Sequence, residues 1–224
     1  MNAARLLSAV LVVTVLGVGA CSSDAPTGVV RPNAGASDAS LAALADPGLA
    51  AWQARELARV SQAAVASETT YELLTLAWKA GGKGTTTPEL LVCKPQKYAA
   101  TVQIVGPEGG DLKVGPHTLR IPAGALTQPV VITAEAPVAL ISMVELSPHG
   151  LRFAAQPTLT LDYTHCNLPA GASQVAYVDD SGAVVEWPTS SDLRNPHAVR
   201  AWLDHFSCYA VAYRGPGGDR GDRQ

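Results

Sequence analysis

From Tyr98 to Arg214 the chain reads as a series of short β-rich runs closed by Gly, Pro or Asp. In order they are YAATVQIV, GDLKV, HTLRIP, PVVITAEA, SMVELSP, LRFAA, PTLTLDY, SQVAYVDD, AVVEWP, HAVRAWL and SCYAVAYR. Short runs with turn signals roughly every 8–12 residues predict an antiparallel sandwich or barrel. No long helical period interrupts them, which excludes a doubly wound α/β fold. A chain of 224 residues suits one compact domain with appendages, or two very small domains. With 16 basic and 19 acidic side chains there is no sequence-wide positive field, so nucleic acid is not an expected partner.

The hydrophobic share of 47% belongs in part to a targeting segment. Arg5 precedes the apolar run LLSAVLVVTVLGVGA, which stops at Cys21. A charged start, a short apolar stretch and small residues at the break describe a signal peptide over residues 1–20. The run is shorter than the ~20 apolar residues that a membrane span needs. Val18-Gly19-Ala20-Cys21 resembles the lipobox of bacterial lipoproteins. That resemblance implies cleavage before Cys21, a diacylglycerol on its sulfur and a membrane anchor made of several acyl chains. Ser22 after it resembles outer-membrane sorting in a cell with two membranes. The expected location is the cell envelope, facing the periplasm or the cell surface. The alternative is ordinary cleavage near Ala20 and a soluble secreted protein.

Residues 21–48 are mostly Ala, Ser, Pro, Gly and Asp. Such a segment buries too little apolar area to offset its conformational entropy and reads as a flexible linker, reaching on the order of 30 Å from the membrane. Over 49–80 the spacing predicts a helix, with Leu49, Trp52, Leu57, Val60 and Ala64 on one face and Arg55, Glu56 and Arg59 outside it. It packs on its own domain or forms part of a stalk; a partner-binding face is the functional alternative. The tail 215–224 is polar, glycine-rich and expected to be disordered.

Within the β region stand the blocks Gly106-Pro107-Glu108-Gly109-Gly110, Ile121-Pro122-Ala123-Gly124-Ala125-Leu126, Ser147-Pro148-His149-Gly150-Leu151-Arg152-Phe153 and Gln156-Pro157-Thr158-Leu159-Thr160-Leu161-Asp162-Tyr163. Asp204-His205-Phe206-Ser207-Cys208-Tyr209 closes the order. Over about residues 98–213 this resembles the ZU-five domain, named for zonula-occludens proteins and netrin receptors and found also in ankyrins. The resemblance implies an all-β antiparallel sandwich, placed at 90–214, used mainly as a protein-interaction module. The partner expected here is an envelope protein or a cell-wall component, and function must be argued from the site rather than the fold.

His205-Phe206-Ser207 resembles the self-cleavage motif of some scaffolds that carry ZU-five domains, and of a nucleoporin of unrelated fold. The resemblance makes these three the candidate catalytic residues. A serine hydroxyl can attack the carbonyl just before it and turn the amide into an ester, given a base and a strained peptide. On an extended strand His205 and Ser207 share a face, which makes the imidazole the candidate base. The alternative has Phe206 facing the core while His205 and Ser207 make structural hydrogen bonds.

With Cys21 lipidated, three cysteines remain in an oxidising compartment. The expected disulfide joins Cys93 to Cys166, with Cys208 a buried thiol and Cys166–Cys208 the competing pair. His117, His149, His165 and His197 show no zinc spacing, and no metal site is expected. No GxSxG, P-loop or GxGxxG context points to a cofactor. Asp179-Asp180-Ser181-Gly182 reads as a tight hairpin turn. Glu135 and Glu145 are not argued as a pair, since their sequence separation fixes no distance between them.

Overall fold

The computed structural model describes residues 46–80, 90–167 and 172–213. The expected signal peptide and tail, and residues 21–45 of the expected linker with Cys21, lie outside the described residues, while Pro47 and Gly48 of that linker already belong to the helix. Among the described residues one helix, α1 (Pro47–Lys79), precedes eleven strands. These are β1 (Ala99–Val105), β2 (Gly110–Val114), β3 (His117–Ile121), β4 (Val130–Ala136), β5 (Met143–Ser147) and β6 (Thr158–Asp162), followed by β7 (Ser173–Val178), β8 (Val184–Glu186), β9 (Ser190–Leu193), β10 (Ala198–Trp202) and β11 (Cys208–Tyr213).

Every pairing between these strands is antiparallel. A six-stranded sheet runs β1-β4-β5-β11-β7-β8 and a five-stranded sheet runs β2-β3-β6-β10-β9. The two-residue side-chain period sends Ile132, Val144, Leu146, Tyr209 and Val211 of the first sheet into one core with Leu112, Leu119, Leu159, Leu161 and Val199 of the second. The result is the sandwich that the alternating runs imply. Gly109 shows how closely one turn fits: its φ is +77°, and a Cβ there would stand 2.3 Å from the Ile121 carbonyl oxygen. Gly182 takes the positive φ expected of the Asp179–Gly182 turn.

The other side of β11 is buried as well. Cys208, Ala210 and Ala212 form a second apolar cluster with Leu90, Ala176 and Val178. Leu90 bridges to Ala212, so the segment before β1 lines the upper end of β11.

Asp46 caps α1 by accepting the Gly48 N–H at 2.7 Å, with Pro47 opening the helix. At 33 residues α1 is about 50 Å long, roughly twice the length of β1 beneath it. Val60 is its one buried residue among those described. The expected face needs correcting at two positions. Leu57 is 46% exposed, and so are Val65 at 77%, Leu73 at 61% and Leu76 at 60%. Glu56 instead turns toward the sheet and accepts from Thr133 Oγ1 at 3.4 Å. A polar attachment explains the rotation: Arg59 also binds Glu56 and reaches Glu135 on β4, which Tyr98 holds by its hydroxyl.

Candidate functional site

Between β10 and β11 the backbone bends at Asp204 and at Ser207, with His205 between them in an isolated antiparallel bridge to Arg152, and the sheet resumes at Cys208. The bend lets Phe206 drop between the sheets, where it is fully buried with its ring 4.8 Å from that of Phe153. Burial of Phe206 agrees with the structural alternative for this motif. The shared strand face expected for His205 and Ser207 is absent, because neither lies in a strand.

The turn after β5 grips the Phe206–Ser207 peptide from its backbone. Leu146 N–H donates to the Ser207 carbonyl at 3.0 Å, Gly150 N–H to the Phe206 carbonyl at 2.9 Å, and Phe206 N–H to Leu151 O at 3.1 Å. His205 Nδ1 lies 3.3 Å from the same Phe206 oxygen. Its Nε2 faces Glu186 Oε2 at 3.5 Å, and its ring meets Tyr177 edge-on at 5.5 Å. Tyr209 donates its hydroxyl to His205 O at 2.6 Å. Burial, followed by the charges of Glu186 and Asp204, raises the Tyr209 pKa, so this phenol stays a neutral donor.

Among the described residues no hydrogen bond joins the His205 ring to Ser207 Oγ. The imidazole stands on the carbonyl, not on the hydroxyl. In the tautomer that carries its proton on Nδ1, His205 joins the Gly150 N–H as a second donor on this oxygen, which is what a developing oxyanion needs. The arrangement therefore fits His205 as a polarising group and leaves the base role without a geometric counterpart. Gly150 and Glu186 complete the site. Gly150 sat inside a quoted block, whereas no signal in the sequence singles out Glu186.

A polar seam crosses the outer side of the first sheet. Glu135 and Glu145 are direct cross-strand partners on β4 and β5. Glu135 is satisfied by Arg59 and Tyr98, and these contacts shift both partners: the hydrogen bond to Glu135 raises the Arg59 pKa, while burial and then the same carboxylate raise that of Tyr98. Glu145 has His149 Nε2 at 3.4 Å, a nitrogen that is buried without a hydrogen-bond partner among the described residues.

The expected disulfide is present: Cys93 and Cys166 are bonded, with Cα atoms 3.8 Å apart. Cys208 corrects the expectation of a free thiol, for no cysteine among the described residues is free. Two groups gather metal-type donor atoms within 4.8 Å of one another: Cys93, His165 and Cys166, and Glu145, His149 and Cys208. Their sulfurs are committed to disulfides. His117 is buried and its Nδ1 accepts the Asp162 N–H at 3.1 Å; His197 packs against Tyr163 with centroids 5.9 Å apart. Among the described residues no helix is long and apolar enough to cross a membrane. Set against known proteins, the chain matches no protein-family model and no curated protein.

Proposed function

We propose that this protein is a bacterial envelope lipoprotein, anchored through Cys21, whose ZU-five-like sandwich serves as an interaction module for another envelope protein or a cell-wall component. The observation that carries the reading is the outward side of α1. Leu57, Val65, Leu73 and Leu76 expose large aliphatic side chains on a helix already fastened to its own sheet. Apolar surface left open on a fastened element is a common mark of an interaction site. The test is in-cell cross-linking from a photoreactive residue at position 73. A reproducible adduct that Leu76→Glu abolishes supports the reading. Random adducts, unchanged by that substitution, reject it.

A second reading is favoured by the two donors on the Phe206 carbonyl: self-processing between Phe206 and Ser207. Ser207 Oγ bonds to the Phe206 carbonyl carbon, the C–N bond breaks, and the hydroxyl proton passes to the freed nitrogen, which becomes the Ser207 amine. Water then hydrolyses the ester. Intact mass of the folded protein decides it. Cleaved protein shows a 207–224 fragment that Ser207→Ala abolishes and Ser207→Cys retains; an uncut chain after prolonged incubation ends this reading.

A further inference from the structure

Cys93 and Cys166 face each other across an antiparallel β-bridge of the backbone. Lys94 N–H donates to His165 O at 3.0 Å and Asn167 N–H donates to Val92 O at 2.9 Å. These two bonds flank the cysteine pair on either side, so the backbone keeps both sulfurs together when they are thiols.

A ring nitrogen of His165 joins the two sulfurs within 4.8 Å. His165 Nδ1 stands 3.8 Å from Asp162 Oδ1. That oxygen is itself fixed by the Thr164 N–H at 3.0 Å and the Thr164 hydroxyl at 2.7 Å. A held carboxylate behind an imidazole orients the ring and raises its basicity toward a metal. Two thiolates and an imidazole form a donor set suited to a borderline-soft d¹⁰ cation.

We propose that the reduced protein binds one Zn²⁺ through Cys93, Cys166 and His165, making the disulfide and the metal alternative states of one corner of the fold. A dithiol reductant delivers two electrons and two protons; the S–S bond breaks, both cysteines become thiols, and the reductant closes its own disulfide. Zn²⁺ displaces the two thiol protons and takes the His165 lone pair, with water in the fourth position. Oxidation by a disulfide of the same class re-forms the S–S bond and expels the ion. No spacing in the sequence announces this set, because the topology brings Cys93 to a His-Cys dipeptide 73 residues away.

The test titrates Zn²⁺ into the mature protein, reduced with a phosphine, against a chromophoric chelator, with Cd²⁺ as a probe of thiolate charge-transfer absorption. Circular dichroism is recorded on the same samples. The expected result is one tightly bound ion per reduced chain, none in the oxidised chain, and an unchanged β signature. His165→Ala is expected to weaken binding by about tenfold or more and Asp162→Asn by about tenfold. Undiminished binding in Cys93→Ser, the same affinity in the oxidised chain, or a reduced chain that neither keeps its fold nor takes up metal overturns the proposal.

Discussion

Gly150 donates its N–H to the Phe206 carbonyl at 2.9 Å, tying the turn after β5 to the peptide that leads into β11. Gly150 makes that bond with φ at +72°, and a Cβ there would meet nothing within 4 Å. Gly150→Ala therefore adds backbone strain without a clash. The expected loss of stability is about 1–2 kcal/mol by urea denaturation. No change would mean that the turn relaxes freely and grips nothing.

His117 sets an acid limit. Burial pushes its pKa down from 6.5 to about 4, and Nδ1 must stay unprotonated to accept from Asp162. The unfolded chain takes up the proton near pH 6.5 while the folded chain resists until about 4. Above pH 6.5 the group has no effect; between 6.5 and 4 stability falls, by as much as ~3 kcal/mol. Urea midpoints against pH for the wild type and His117→Gln should diverge across that window, the variant being flatter. Parallel curves would show that other groups govern the acid side.

Joining residues 73 apart, the Cys93–Cys166 bridge removes much loop freedom from the unfolded chain. The double substitution to Ser is expected to cost about 2–4 kcal/mol by chemical denaturation while near-native β structure persists. A collapse of the sandwich would show that the flanking backbone bonds cannot hold the strands alone.

The proposed anchor is tested at Cys21. Mass spectrometry of the mature N-terminal peptide should find an acylated Cys21, and Cys21→Ser should release the protein from membranes. A sulfur joined to a diacylglycerol has none left for a disulfide. A Cys21–Cys208 cross-link in non-reducing maps would overturn the anchor.

Glu135 fastens α1 through Arg59. Because Arg59 remains half exposed, Glu135→Gln should cost about 1 kcal/mol or less. Its mark is local: α1 amides should exchange faster with solvent while those of β11 keep their protection. Equal acceleration in both would show that the helix and sandwich open together.

Legibility in the sequence followed side-chain alternation. Ten of the eleven runs contain a strand, most of them with apolar residues on a buried side, whereas β8 buries none of its three residues. LRFAA has the composition but forms only the Arg152–His205 bridge, since this stretch wraps the Phe206 peptide instead of joining a sheet. Ser190–Leu193 went unseen because its sequence, SSDL, is mostly polar, and its strand rests on backbone pairing with β10. The helical face slipped because Glu56, polar in sequence, finds partners on β4. At the site, the motif was visible, but the placement of His205 on a carbonyl was not. That depends on a bend and on Glu186, which arrives from another strand.

The order of the first sheet has one more consequence. β11 is the last strand to be made, yet it stands inside the sheet, between β5 and β7. As the chain is made, those two neighbours emerge with a gap between them that nothing earlier in the strand series fills. The first sheet can close only when β11 arrives. A chain shortened by its final strand would lose the middle of a sheet, not a fringe.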